Sequence, residues 1–298
     1  MQFDSYCTQC VLNRTCQEAH KSLSPEEAHT YLLDAMNEIA HAPKGVAAPY
    51  LVMRLREIAA NYGVTGDPYA KIKKDSNDYI LAMLPRIKGR TEDSSDPLKT
   101  AMLYAQAGNF LDFGVLTPED VTEKIGQAIE NAPHSPLDEA EYKNFVQDLE
   151  NARNLLIIGD NAGEIVFDTV LVEQLKKQYP GLSITYAVRG GNCLNDATRE
   201  DAAYVGMDRL VRVIDNGTAI SGTELDYIGP EMRNALRTAD VILAKGQGNF
   251  ETMVTCGYNV YYSFLCKCDR LCRILKVPMF TGMFLAEKRM NPITPFPD

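Results

Sequence analysis

The chain has 298 residues, 45% hydrophobic and 23% charged, the balance of a globular protein with a sizeable core. Its formal charge of −10 excludes the basic face that a nucleic-acid partner requires, yet allows a small phosphorylated ligand held by a local cation or a metal. No apolar run is long enough to span a bilayer, and Met1-Gln2-Phe3-Asp4 has neither a basic nor an apolar leader region. A cytoplasmic protein with no membrane partner is expected.

Residues 1–135 read as an all-helical domain. Ser24-Pro25-Glu26-Glu27 carries an N-cap Ser, a Pro at the first helical position and a Glu three residues after the cap, which together start a helix. Tyr50–Ala60, Asp78–Ile87 and Leu98–Phe110 show apolar residues at three-to-four spacing, and Thr117-Pro118-Glu119-Asp120 repeats the helix-start pattern. Asn131-Ala132-Pro133-His134-Ser135-Pro136 reads as a linker.

Residues 136–298 form the second predicted domain. Apolar runs at Leu155–Ile158, Ile184–Val188, Leu210–Ile214, Val241–Ala244 and Tyr258–Phe264 read as strands. They alternate with helical stretches at Glu164–Gln178, Arg199–Val205, Pro230–Thr238, Phe250–Val254 and Lys267–Leu275. Such alternation implies right-handed βαβ units, hence an α/β domain with a mostly parallel sheet covered on both faces, behind the helical N-terminal one.

On this reading three polar loops meet at the carboxyl edge of the sheet, where ligands of open α/β folds bind. The first is Asp160-Asn161-Ala162-Gly163-Glu164, the second runs from Arg189 through Asn195 and Asp196 to Thr198, and the third is Lys245-Gly246-Gln247-Gly248-Asn249-Phe250-Glu251. Asp160, Asn161 and Asp196 offer two carboxylates and an amide oxygen, a hard donor set for Mg²⁺ or Mn²⁺ that leaves positions for water and a substrate oxygen. Lys245 supplies a point charge for a phosphoryl group, Gly246 and Gly248 let the backbone approach it, and Arg189, Asn195 and Asn249 add donors. Each loop alone is also an ordinary helix cap or turn; their convergence is what points to a metal and a phosphate. The four histidines, His20, His29, His41 and His134, all precede residue 135, so the second domain cannot assemble a Ser-His-Asp or Cys-His site from its own residues.

The runs Gly159–Asp168, Asn195–Thr198 and Lys245–Glu251, with the later Lys267-Cys268 pair, resemble the damage-control phosphatases, a metal-dependent family formerly catalogued as a domain of unknown function. The match in order and spacing spans residues 155–275, and the Cys-x-x-Cys near the N-terminus is similar to that of the family's stand-alone microbial branch. The resemblance implies an all-helical domain packed on a Rossmann-like three-layer α/β domain, and phosphate-ester hydrolysis supported by Mn²⁺, Co²⁺, Ni²⁺ or Mg²⁺. It puts the metal ligands on Asp160, Asn161 and Asp196, and the phosphate-binding lysine on Lys245. It also implies small phosphorylated metabolites, such as sugar phosphates, as substrates. Asp160, Asp196 and Lys245 are the catalytic candidates. Glu164, Arg189, Asn195, Gly246, Gly248, Asn249 and Glu251 are candidates for holding the substrate, with Glu164 or Asp196 assisting proton transfer.

Eight cysteines are generous for an intracellular chain. Cys7-Thr8-Gln9-Cys10 has the spacing of a metal knuckle or a redox pair, and a closed site would need partners such as Cys16, Cys266, Cys268 or Cys272. Buried reduced thiols are the leading expectation, beside a disulfide or a structural Zn²⁺ or Fe–S site on Cys7, Cys10, Cys266 and Cys268. Two rival functions are weighed. An S-adenosylmethionine-dependent carboxyl methyltransferase would use the Gly-Asp-Asn-Ala-Gly loop as a cofactor loop, and a non-catalytic metal or sugar-phosphate binding module would bind without turnover. A nicotinamide oxidoreductase is disfavoured, because the first loop lacks Gly-x-Gly-x-x-Gly and the second strand runs into Arg189 rather than an acid.

Overall fold

A computed structural model describes residues 1–110 and 126–290; the expected helix start at Thr117–Asp120 lies outside them. The N-terminal half is helical: α1 (Ser5–Ser22), α2 (Pro25–Ala40), α3 (Ala48–Ala60), α4 (Ala70–Glu92) and α5 (Pro97–Ala107). Asp4 caps α1, and α2 begins with the expected capping box, Ser24 and Glu27 bonding each other's backbone. After α6 (Glu139–Asn151) the chain alternates: β1 (Asn154–Ile158), α7 (Glu164–Gln178), β2 (Ser183–Val188), α8 (Arg199–Val205), β3 (Arg212–Asp215), α9 (Pro230–Thr238), β4 (Val241–Lys245), α10 (Gln247–Met253), β5 (Val260–Leu265), α11 (Asp269–Leu275) and β6 (Gly282–Ala286).

The strands pair in the order β3-β2-β1-β4-β5-β6. The first five are parallel and β6 returns antiparallel to β5. Successive side chains of each strand point to opposite faces, and the apolar core divides accordingly. Leu155, Ile157, Ile184, Tyr186, Val241 and Leu243 pack with α4 to α8 on one face. Leu156, Ile158, Ile242, Ala244, Tyr262 and Phe264 pack with α9, α10 and α11 on the other. This is the three-layer, mostly parallel arrangement expected from the alternation, with helices covering both faces of the sheet. Helices α1 to α3 form a further cluster around Leu51 and Leu55, which Ile220 from the loop after β3 joins.

The chain leaves β1 toward one side of the sheet and β4 toward the other, so the two strand ends diverge and open a crevice between them. Helix α7 starts at that crevice and is buried along most of its length, Glu164 and Asp168 included. A helix burying two carboxylates must find counter-charges or hydrogen-bond donors for them. Those partners define the site.

Candidate functional site

The loops after β1 and β2 are joined by backbone hydrogen bonds. Ala162 N–H donates to the Asn195 carbonyl at 2.8 Å, and Ala197 N–H donates to the Asp160 carbonyl at 2.7 Å. An isolated antiparallel bridge pairs Asn161 with Asp196. Three residues separated by up to 36 positions in sequence are thereby set side by side, as the loop reading expected.

Arg189, the first residue after β2, is 1% exposed and ties the group together. Its Nε donates to Asp196 Oδ2 at 2.5 Å, Nη1 to Asn249 Oδ1 at 3.2 Å and Nη2 to Asp160 Oδ1 at 3.4 Å. Asp196 also accepts from the Ser221 hydroxyl at 2.9 Å. Asp160 Oδ2 accepts from Asn161 Nδ2 at 2.7 Å and from Asn109 Nδ2 at 2.8 Å. The same two amides donate to Glu164 Oε2, at 2.9 and 3.0 Å. Since the Asn161 nitrogen is spent on carboxylates, any ligand role falls to its amide oxygen.

Lys245 closes β4 and is as buried as Arg189. Its ammonium pairs with Asp168 and lies 2.7 Å from Glu164 Oε1, an oxygen on which no hydrogen-bond donor is aligned. Asp168 also accepts from the Tyr186 hydroxyl at 2.5 Å. The lysine is thereby engaged with two carboxylates of α7. Gly246 follows with φ +80°, and a Cβ there would run into the Asp160 carboxylate; the glycine makes room for that side chain as well as for the turn. Gly248 lies against the Ser221 carbonyl. Asn249 has both ends of its amide committed: Nδ2 donates to the Lys245 and Gly159 carbonyls at 2.6 and 3.1 Å, and Oδ1 accepts from Arg189 and, at 2.8 Å, from Thr223 Oγ1.

Two expected participants stand somewhat apart. Glu251 lies one turn along α10, bonded to Gln247 at 2.7 Å and facing the Arg270–Asp4 pair. Asn195 is buried beside Asp196 and contributes its carbonyl to the bond from Ala162. None of the eight cysteines is paired in a disulfide. Cys7 is buried on α1, and burial pushes its thiol up to about 11; Cys10 is exposed, Cys266 buried and Cys268 half-buried. Among the described residues no group of three or more His, Cys, Asp or Glu is arranged to hold a metal ion. The crevice set is instead two carboxylates and an amide.

The electrostatics of this group are unbalanced. Four buried carboxylates (Asp160, Glu164, Asp168 and Asp196) face two buried cations, Arg189 and Lys245. Burial, then repulsion from Asp196 and Glu164, holds the Asp160 carboxyl well above the usual range, against the pull of Arg189 and Lys267. Burial likewise raises Asp168, to about 6, with Lys245 pulling it back. Lys245 is raised despite its burial, because Asp168 and Glu164 outweigh the loss of water. A buried crevice with surplus negative charge and hard oxygen donors suits a divalent cation. Asp160, Asn161 and Asp196 are the residues that would hold it.

Sequence reasoning missed several members. Asn109 reaches the site from the short 3₁₀ turn after α5, and its Oδ1 accepts the Leu265 N–H at 3.2 Å. A Cβ at Gly108 would come within 2.8 Å of Phe167 and 3.1 Å of Glu164, so the missing side chain is what lets Asn109 approach α7. Ser221 and Thr223 come from the loop after β3, and Tyr186 from within β2. Only Asp168 left a local signal, four residues after Glu164 and hence on the same face of α7.

Comparison with known proteins gives consistent results. A family model described as the damage-control phosphatase ARMT1-like domain matches residues 3–281. An uncharacterised protein of Methanocaldococcus jannaschii is 30% identical over 293 residues, covering 94% of this chain and 93% of its own. A damage-control phosphatase of Archaeoglobus fulgidus is 30% identical over 85% of this chain and 88% of its own. One from Pyrococcus horikoshii is 31% identical over 80% and 79%. The crystal structure of a DUF89 family protein from Pyrococcus horikoshii superposes with a TM-score of 0.79 at 26% identity, covering 96% of this chain and 99% of that one.

Proposed function

The chain belongs to the ARMT1-like damage-control phosphatase family, and from that premise we propose that it is a metal-dependent phosphatase acting on small phosphorylated metabolites. A phosphatase-type role rests on the family. One observation supports the metal dependence: four carboxylates and two cations are buried together where β1 and β4 diverge. Among the described residues no helix is long and apolar enough to cross a membrane.

A divalent cation held by Asp160, Asn161 and Asp196 would neutralise charge on the phosphoryl oxygens and acidify an attacking water. The remaining work is done by the chain. Arg189 keeps Asp160 and Asp196 at a fixed separation through its three-way fork, which pre-organises the oxygen donors. Glu164 shares the Asn109 and Asn161 amide donors with Asp160 and would take the proton of the attacking water. Lys245 adds positive potential, held ionised by Asp168 and Glu164.

The test is phosphate release from a panel of sugar phosphates, nucleotides and p-nitrophenyl phosphate by chelated protein, alone and with Mn²⁺, Co²⁺, Ni²⁺ or Mg²⁺. The proposal expects turnover with at least one metal and one small phosphate ester. Metal binding without turnover on any of them would leave a binding module instead.

A further inference from the structure

Outside the crevice, the least explained feature is a pair of thiols at the end of β5. Cys266 directly follows the strand and is fully buried, and Cys272 lies in α11, half-buried. Their sulfurs are 3.3 Å apart. Two features hold them there. Cys266 is fixed on both sides by backbone bonds, its N–H donating to Thr281 at 3.0 Å and its carbonyl accepting from Phe280 at 2.7 Å. Cys272 is set by the first turn of α11, through its N–H to the Cys268 carbonyl at 2.9 Å. The 3.3 Å separation exceeds the roughly 2.05 Å of a disulfide by about 1.3 Å, a gap that a small movement of the two side chains would close.

We propose that Cys266 and Cys272 form a reversible disulfide site, oxidised by exchange with a low-molecular-weight disulfide. The half-buried Cys272 thiolate attacks the small disulfide, giving a mixed disulfide and one released thiol. Cys266 then loses its proton and attacks the Cys272 sulfur, closing the bridge and releasing the second thiol. The pair gives up two electrons and two protons, and the small disulfide is reduced to two thiols. The order follows from access and from acidity. Burial, then the neighbouring Cys272, pushes the Cys266 thiol up to about 12, which makes it the resolving rather than the attacking sulfur.

The bridge would span Lys267, whose N–H donates to the Gln247 side chain at 2.9 Å and whose charge reaches Asp160. Oxidation thus fastens the end of β5 to α11 and pins the short segment between them, which carries the Lys267 N–H bond to Gln247.

The experiment incubates the full-length protein in glutathione buffers from fully reduced to fully oxidised, quenches by acid and alkylation, and maps cross-links by mass spectrometry. A Cys266–Cys272 cross-link should form first and be reversed by dithiothreitol. It should raise Tm in the wild type and in Cys10→Ser, and should be absent in both Cys272→Ser and Cys266→Ser. Three results would overturn the proposal: thiols that stay reduced in the most oxidising buffer, glutathione that remains on Cys272 without closure, or a first cross-link that involves Cys10, Cys256 or Cys268. None of these readouts depends on phosphatase activity.

Discussion

Replacing Asn109 by alanine probes how far the helical half of the chain builds the site. Its amide makes three buried hydrogen bonds, to Asp160, to Glu164 and from Leu265. The two carboxylate oxygens keep the Asn161 nitrogen as a partner, so they are weakened rather than orphaned. That puts each lost bond at the low end of the charged range, about 1.5 kcal/mol, with about 1 kcal/mol more for the stranded Leu265 N–H. The sum is about 4 kcal/mol, a fall in Tm of roughly 6 °C for a chain of this size. Freed from one of its two amide donors, Asp160 moves off its position and kcat drops by about a hundredfold. Asn109→Asp keeps the shape but turns a donor toward two carboxylates into a third carboxylate, so it should be worse than Asn109→Ala on both counts. Calorimetry and phosphate release on the three proteins decide it. An Asn109→Ala protein with wild-type Tm and kcat would refute the reasoning, and so would an Asn109→Asp protein better than the alanine variant.

Three further predictions follow from the same geometry. Asp168 has its folded pKa raised to about 6 from an ordinary 3.8, so its contribution to stability is complete below 3.8 and is lost as the pH rises to 6. The Tm of the wild type minus that of Asp168→Asn should therefore shrink between pH 4 and pH 6 and level off above; a widening gap would mean that the Lys245 ion pair outweighs burial. Gly246→Ala forces a Cβ against Asp160 in a backbone conformation that costs of the order of 1–3 kcal/mol for a side chain. It should fold but lose most turnover, and near-normal kcat would show that Asp160 has room to move. Arg189→Lys keeps the charge but loses the fork on Asp160, Asp196 and Asn249, and turnover should fall on the order of tenfold or more; an unaffected variant would reduce Arg189 to a simple counter-charge.

The parts of this protein that were legible in its sequence are those whose signals are local. The helices at Glu164–Gln178, Arg199–Val205 and Pro230–Thr238 lie where the periodicity put them, because each is bounded by Gly or Pro and packs one apolar face on the sheet. Strand β6 was missed: Gly282–Ala286 is short, lies at the sheet edge and is only alternately buried, so it lacks the continuous apolar run that marked the five parallel strands. Helix α4 extends to both sides of the Asp78–Ile87 stretch and contains Pro85, which reads locally as a stop. The three strand-end loops could be read because βαβ topology alone delivers them to one edge. Asn109, Ser221 and Thr223 could not, since their partners lie 25 to 156 positions away in sequence and nothing around them marks the encounter. Lys245 shows the remaining limit. A lysine at a strand end reads as a ligand for phosphate, and only the packing of α7 reveals the two carboxylates that already hold it.

The account stands on one claim, that Asp160 and Asp196 hold a divalent metal with which this chain hydrolyses phosphate esters. The most direct measurement is phosphate release by chelated protein before and after stoichiometric Mn²⁺, in the wild type, Asp160→Ala and Asp196→Ala, with circular dichroism to establish that all three are folded. The account predicts turnover restored by metal in the wild type and in neither variant. Full turnover by the chelated wild type, or metal-restored turnover in either folded variant, would contradict it.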